Sequence, residues 1–228
     1  MDSISDSVFT MLQLQRALND REDQEWYSKQ PYFLRAAVVA AAAAMDHYGC
    51  QLWASPAPDL PQVRLDMGGI LYFLLSYAMA RKGRRDEELY GIAKEIETAY
   101  KNAQRTDTYF GLGFLEKMEL LTAKAALRED AAIWPAFFLA IKDLELDWET
   151  LSRAYFSENV LKLFRKDYGQ DNGTYTETWG NKEDSVHLEE IISGMEALDL
   201  PAIRHALVMR YSILTGRRSS DQTAPPKQ

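Results

Sequence analysis

Apolar residues recur along most of this chain with the period of an α-helix. In the first segment, Val8, Met11, Leu12, Gln15 and Leu18 follow one another at spacings of three or four residues and therefore share one helix face. The polar run at 19–24 predicts where that helix ends. No segment shows the strict apolar–polar alternation of a half-buried strand. The pattern therefore predicts an all-α fold.

Eight more helices follow from the same periodicity. The predicted ranges are Pro31–Trp53, Gln62–Arg81, Asp86–Ala103, Gly113–Arg128, Ile133–Leu144, Asp147–Phe164, His187–Leu198 and Pro201–Thr215. Three prolines within 54–61 interrupt the helical pattern. The segment 167–185 is rich in Gly, Asn and Asp and is predicted to be an ordered loop. We expect one all-α domain over residues 1–215 and a flexible tail over 216–228.

Composition and charge exclude several classes of protein. The net charge of -8 argues against a nucleic-acid binder, which needs a basic face for phosphates. The single cysteine, Cys50, excludes an internal disulfide framework and fits a reducing compartment. The beginning of the chain lacks the pattern of a signal peptide, and the apolar run Ala36–Met45 is too short to cross a membrane. A soluble, cytoplasmic protein without membrane partners is expected.

Common catalytic motifs are absent from the sequence. It contains no dinucleotide or phosphate-binding glycine loop, no C-x-x-C and no H-E-x-x-H. The three histidines, His47, His187 and His205, are interpreted as ordinary helix or loop residues. Cys50 is interpreted as a packing residue. Function must therefore be inferred from other features.

Four segments, taken together and in order, resemble the dimeric all-α dUTPases, relatives of the MazG-type nucleotide pyrophosphatases. They are LQRALN (14–19) followed by Trp26, RAAVVAAAAAMDHYGCQLW (35–53), PDLPQVRLDMGGILYFLLS (58–76) and YFSENVLKLFRKDYGQDNGTYTETWGNKED (155–184). MDHYG, PDLPQV and the frame G-x-x-x-G-x-Y-x-x-x-W are the most specific parts. The resemblance covers most of the chain up to about residue 212 and is closest to phage-borne members. It implies the family's fold, and for active members a Mg²⁺-dependent hydrolysis of dUTP to dUMP and pyrophosphate.

The same resemblance implies that the metal ligands are lost. Active relatives carry E-x-x-E on one helix and E-x-x-D on the next, and a spacing of three puts both carboxylates of a pair on one face. The matching positions here are Ala40 and Ala43, then Asp66 and Gly69. A lone carboxylate does not hold Mg²⁺, which dehydrates reluctantly. We expect no bound metal, unless the alignment is shifted and Asp46 or Glu95 supplies ligands.

Alanine at positions 40 and 43 also suggests a packing change. Small side chains there, opposite Gly68 and Gly69, would let the two helices close over the former metal cavity. Such a contact would account for two glycines in a helix interior, where each costs about 1 kcal/mol relative to Ala.

The resemblance assigns further residues to substrate binding. Gln15, Asn19, Trp26 and Asn159 match positions that hold the uracil base, for which an amide offers both a donor and an acceptor. Packing at a helix end is an equal alternative for Gln15 and Asn19. Acids replace the phosphate-binding lysines of the family at three positions, which disfavours a triphosphate; these are Glu158, Asp171 and Glu177. The resemblance assigns Arg165 and Tyr175 to the phosphate side of the site. Three further matching residues, Trp179, Glu183 and Asp184, are expected to have a structural role.

Three functions are compatible with this pattern. The first is a catalytically silent dUTPase-like protein that acts as a binding or structural partner, as a homodimer or with a dUTPase-like paralogue. The second is a nucleotide pyrophosphatase with an altered acidic site formed by Asp46, Asp66, Glu183 and Asp184. The third is a sensor that binds a pyrimidine deoxynucleotide without hydrolysing it. The first is preferred because it follows directly from the loss of ligands.

Overall fold

Helices form almost all of the regular structure. The computed structural model describes residues 3–51, 57–106 and 108–216. Within these ranges the helices are α1 (Ile4–Glu22), α2 (Gln30–Tyr48), α3 (Leu60–Lys82), α4 (Asp86–Arg105), α5 (Phe114–Leu127), α6 (Asp130–Asp143), α7 (Trp148–Asp167), α8 (Asp184–Ser193) and α9 (Leu200–Thr215). The predicted all-α fold is confirmed. Residues 217–228, which make up all but the first residue of the predicted tail, lie outside the described residues.

Local capping signals explain several helix ends. The side chain of Ser3 accepts from the backbone N–H of Asp6, and the carboxylate of Asp6 accepts from the N–H of Ser3 in return. At the start of α3 the side chain of Asp59 accepts from the backbone N–H of Gln62, and at the start of α9 that of Asp199 accepts from the N–H of Ala202. A proline follows in the first turn of each helix. These side chains satisfy backbone N–H groups that have no partner within the helix.

Helix α2 is shorter than the sequence predicts. It ends at Tyr48, and Gly49 follows in the left-handed conformation with φ 92°. The predicted end at Trp53 is wrong because Gly49 is a helix stop that the run of apolar residues concealed. Helix α8 also ends earlier than predicted, at Ser193 instead of Leu198, where Gly194 follows. The other boundaries given for α3 to α9 agree with the predicted ones to within three residues.

The chain divides into two compact units, residues 1–152 and 153–228, with the boundary inside α7. In the first unit α2 packs along α3, α5 along α6, and α1 along α4. Its core is filled by apolar side chains of α3 and α6; examples are Met67, Ile70, Leu71, Phe137 and Phe138. Whether residues 1–215 behave as one domain stays a prediction.

The second unit contains the predicted Gly- and Asn-rich loop, which is ordered. A short 3-10 turn at Gln170–Asn172 precedes a hairpin of two-residue strands, β1 (Thr178–Trp179) and β2 (Lys182–Glu183). The turn residues Gly180 and Asn181 both have positive φ, as a tight hairpin requires. Strands of two residues are too short to show the apolar–polar alternation that indicates a strand in a sequence, and they leave the all-α class unchanged.

Helix α3 is long and apolar enough to cross a membrane by length and composition alone. Within its most apolar window 78% of the residues are buried inside the protein. That degree of burial is typical of the core helix of a soluble protein.

Candidate functional site

The predicted metal positions lie on α2 and α3, the two helices that pack along each other. Ala40 is half-buried and Ala43 is exposed on α2, while on α3 Asp66 is half-buried and Gly69 is buried. Three of the four positions therefore present no side-chain oxygen. Asp66 supplies the only carboxylate among them.

This remaining carboxylate has a partner. Nδ1 of His47 lies 2.7 Å from Oδ2 of Asp66, and both side chains are only partly exposed, at 32% and 21%. His47 is one helical turn beyond Ala43, so it occupies the same face of α2. The sequence analysis treated His47 as an ordinary helix residue. The i, i+4 relation to Ala43 was the signal that could have identified it.

The donor set at these positions does not fit Mg²⁺. The ion prefers several oxygen ligands, whereas the four positions offer one carboxylate that already contacts an imidazole. The alternative acids do not complete the set, because Asp46 contacts Gln51 and Glu95 pairs with Lys82. In the described ranges no three His, Cys, Asp or Glu side chains come together as a metal site would require.

The small residues expected to pack α2 against α3 differ in burial. The buried alanines of α2 are Ala37, Ala41 and Ala44, whereas Ala43 is exposed. The buried face of α2 therefore passes beside Ala40 and leaves Ala43 outside it, and closure of the two helices over the former metal position stays a prediction. Gly68 and Gly69 are buried as expected.

The predicted base-binding amides on α1 form an internal network. Nε2 of Gln15 donates to Oδ1 of Asn19 at 2.9 Å, and Nδ2 of Asn19 donates to Oγ of Ser76 at 3.0 Å. Gln15 and Ser76 are fully buried, and Asn19 is 2% exposed. Tyr72 joins the network through Gln15, and burial raises the pKa of its phenol. The geometry matches the helix-packing alternative, and Ser76 is a member that the sequence analysis missed.

Trp26, the third predicted base-binding residue, is also engaged within the first unit. It is 2% exposed, its Nε1 donates to Oδ1 of Asp20 at 2.7 Å, and its ring packs edge-on against Phe33. The indole is therefore held in place by both its polar and its apolar parts.

Asn159, the fourth predicted base-binding residue, belongs to the second unit and retains an unused acceptor. Its Nδ2 donates to the carbonyl of Tyr155 at 3.0 Å, one turn earlier on α7. Its Oδ1 is buried and has no hydrogen-bond partner among the described residues. An unsatisfied buried acceptor of this kind costs about 1–3 kcal/mol, so a ligand donor there would be favourable.

The phosphate-side residues Arg165 and Tyr175 both contact Asp184. Arg165 forms a forked pair with it, from Nε to Oδ2 at 2.8 Å and from a terminal nitrogen to Oδ1 at 2.6 Å. The hydroxyl of Tyr175 donates to Oδ2 at 2.6 Å, and the Asp184 side chain is only 2% exposed. Burial, followed by the charge of Asp184, raises the pKa of Tyr175. Burial opposes ionisation of Arg165, but the hydrogen bonds and charge of Asp184 raise its pKa above the usual value.

Three acids, Glu158, Asp171 and Glu177, are predicted to replace lysines of the family, and their surroundings differ. Glu158 is 8% exposed and pairs with Lys162 at 3.0 Å, whereas Asp171 and Glu177 are exposed. Nearby, Trp179 is fully buried, stacks on His187 at 5.1 Å and donates to the carbonyl of Thr176. These contacts are those of a residue that anchors the loop to the core of the second unit.

Comparison with known proteins adds one match. A family model described as dUTPase matches residues 7–169, which is more than half of the chain and includes positions 40, 43, 66 and 69. A search of curated proteins gives no significant match. Tyr175 and Asp184 lie beyond the matched range.

Proposed function

Because the chain belongs to the dUTPase family, we propose that it is a member that has lost dUTP hydrolysis and acts as a binding or structural partner. The observation that carries this proposal is the donor set on α2 and α3. Three family metal positions have no side-chain oxygen, and Asp66 contacts His47. Without anionic ligands, Mg²⁺ is not held where the phosphates of a substrate would need it.

A second observation supports the loss of triphosphate binding. Arg165 is already paired with a buried carboxylate, so its charge is largely neutralised before any ligand arrives. The exposed acids Asp171 and Glu177 add negative charge in the same unit. A triphosphate would meet repulsion where active relatives offer lysines.

The partner role is supported by the exposed face of α2. Tyr32 is 60% exposed and Val39 71%, and the exposed Ala42 and Ala43 follow at helical spacing. Large exposed apolar side chains on one helix face are typical of a surface that another chain covers. We propose that a second copy or a dUTPase-like paralogue packs there.

The catalytic part is tested by pyrophosphate release from dUTP with Mg²⁺. The natural protein is expected to show no turnover above background. The variant Ala40→Glu, Ala43→Glu, Gly69→Asp is expected to gain Mg²⁺ affinity, measured by calorimetry, and some turnover. Its matched control, Ala40→Gln, Ala43→Gln, Gly69→Asn, has side chains of the same shape at the same positions but no carboxylates, and should gain neither. Turnover by the natural protein would refute the proposal.

The partner part is tested by light scattering of the purified chain. A homodimer would have twice the chain mass and become monomeric with Val39→Glu. A natural chain that is monomeric alone but associates with an active dUTPase-like paralogue would support the heteromer. A monomer that binds neither would contradict the partner role.

A nucleotide sensor is the second candidate, and the unused Oδ1 of Asn159 favours it. A pyrimidine N–H could donate to this oxygen. If the chain is a sensor, calorimetry should show that it binds deoxyuridine at least as tightly as dUTP. Asn159→Ala should abolish this binding. The absence of binding by any deoxyuridine nucleotide would exclude this candidate.

A further inference from the structure

A cavity of about 820 Å³ lies in the first unit, outside the predicted site. It is lined by α3, α4 and α6 and by the segment that follows α4. The metal positions 40, 43, 66 and 69 and the predicted base-binding residues do not line it, whereas Glu95, the alternative metal ligand, does. The volume lies within the usual range for pockets that bind small organic molecules.

Apolar side chains form most of the wall. Buried residues from all three helices contribute, and the indole of Trp134 is partly exposed; the buried members are Leu74, Ala78, Ala103, Ile133 and Leu139. Trp134 stacks on Phe138 with their ring centroids 5.7 Å apart, so its orientation is fixed. A ligand therefore needs an apolar body, with either a chain or a ring.

The polar groups of the wall are concentrated around Asp130, at the beginning of α6. Its carboxylate accepts from the hydroxyl of Tyr77 and from Nε of Arg81, the latter at 3.1 Å. Burial, followed by the hydrogen bond to Asp130, raises the pKa of Tyr77 to about 12. The phenol therefore remains a neutral donor at neutral pH, and the acceptor atoms of Asp130 are occupied.

Donors exceed acceptors at this end of the cavity. A guanidinium carries five N–H donors, and Asp130 takes bonds from only two nitrogens of Arg81. Lys82 carries three donors, and one of them is used by its pair with Glu95, whose carboxylate also lines the cavity. The ammonium of the third cation, Lys94, contacts Ser5, so only its stem is available to the cavity. The surplus of charge-assisted donors favours an anionic head group.

Pro135 adds one acceptor to the wall. A proline has no N–H, so the carbonyl of Ala131 lacks its usual helical donor, and both residues line the cavity. A ligand that carries a donor next to its apolar body could use this oxygen.

We propose that this cavity binds a small amphipathic carboxylate, with its apolar body against Trp134 and its carboxylate at Arg81 and Lys82. This binding function goes beyond the proposed loss of dUTP hydrolysis and does not depend on it, because the two sites share no residue.

The proposal is tested on the full chain by calorimetry with decanoate at neutral pH. Decylamine and decanol, which have the same chain length, supply the cationic and neutral comparisons. We expect decanoate to bind with one site per chain and a Kd on the order of 10–100 µM. Decylamine should bind at least about tenfold more weakly, because Asp130 and Glu95 are already paired with Arg81 and Lys82 and leave mainly donors to meet its ammonium. Equal binding of the acid and the amine would overturn the proposal.

Variants locate the binding. Ala99→Phe fills the cavity from α4, Ala131→Trp fills it from α6, and both should abolish binding of decanoate. Ala126→Phe, on exposed α5 surface outside the cavity, is the matched control and should bind normally. Lys82→Gln should weaken decanoate about tenfold while leaving decanol unchanged. Circular dichroism melts establish that each variant is folded, and binding retained by a folded cavity-filling variant would refute the assignment.

Discussion

His47 of α2 contacts Asp66 of α3, the one carboxylate among the four predicted metal positions. Their side chains are 2.7 Å apart and half-shielded from solvent. The contact links the two helices through a hydrogen bond instead of through a shared cation. The stability of this helix pair should consequently depend on both residues.

A double-mutant cycle measures that link. His47→Ala and Asp66→Ala should each destabilise the protein, and the double variant should lose less than the sum. The expected coupling is about 0.5–1.5 kcal/mol, because both groups are partly exposed and solvent screens their attraction. Urea unfolding followed by circular dichroism gives the four free energies. A coupling near zero would mean that the contact contributes nothing to the packing of the two helices.

Lys117 is an almost completely buried cation. It lies on α5 with a side chain that is 1% exposed, and its ammonium donates to Asp143 of α6 at 2.7 Å. Asp143→Ala should destabilise the protein by about 3 kcal/mol, because it removes the carboxylate that faces an almost completely buried ammonium. Lys117→Met should cost much less, about 1 kcal/mol, since it removes the charge and nearly conserves volume. Urea unfolding tests the order, and a larger loss for Lys117→Met would contradict it.

Glu88 should make stability depend on pH in acid. It lies in the first turn of α4, where its carboxylate accepts from the side chain and the backbone N–H of Arg85, and these hydrogen bonds lower its pKa from 4.5 to about 2. A lowered pKa means that the folded state favours the ionised form. Its stabilising contribution is therefore complete above about pH 4.5 and is lost as the pH falls towards 2.

The matched variant for this effect is Glu88→Gln, which keeps the shape and removes the titration. At pH 7 this variant should have a lower melting temperature than the natural protein. Near pH 2 the two melting temperatures should be equal, because Glu88 is then protonated. Thermal melts at pH 7, 4 and 2.5 provide the comparison. A constant difference across this range would show that the carboxylate charge is not responsible.

The sequence predicted the helices well because their signal is local. Periodicity, prolines and capping residues such as Asp59 and Asp199 act within a turn or two of the chain. The end of α2 at Gly49 and the hairpin at Gly180–Asn181 were missed. Both depend on a backbone with positive φ, which a count of apolar residues does not detect.

The candidate site was only partly predictable, because it depends on contacts between distant segments. The resemblance located positions 40, 43, 66 and 69, but the contact of His47 with Asp66 joins residues 19 apart in the chain. Likewise, Asn19 meets Ser76 across 57 residues, and no local pattern encodes that pairing. The cavity beside Trp134 is lined by three helices and was not anticipated from any of them alone.

Variants of Arg165 test whether its guanidinium serves a substrate or the fold. If it mainly balances Asp184, then Arg165→Met leaves a carboxylate that is 2% exposed without its cation. We expect a loss of about 3 kcal/mol in the free energy of unfolding. Tyr175→Phe removes a single hydrogen bond to the same carboxylate and should cost about 1.5 kcal/mol.

The matched control is Arg204, which pairs with Asp167 in the same unit at 2.6 Å, with 49% and 29% of the two side chains exposed. Arg204→Met should cost about 0.5 kcal/mol, because an exposed ion pair gains little over hydration. All three variants are compared by urea unfolding without nucleotide. Equal, small losses for Arg165→Met and Arg204→Met would mean that Asp184 does not need Arg165 for folding, and would return Arg165 to the role of a phosphate-binding residue.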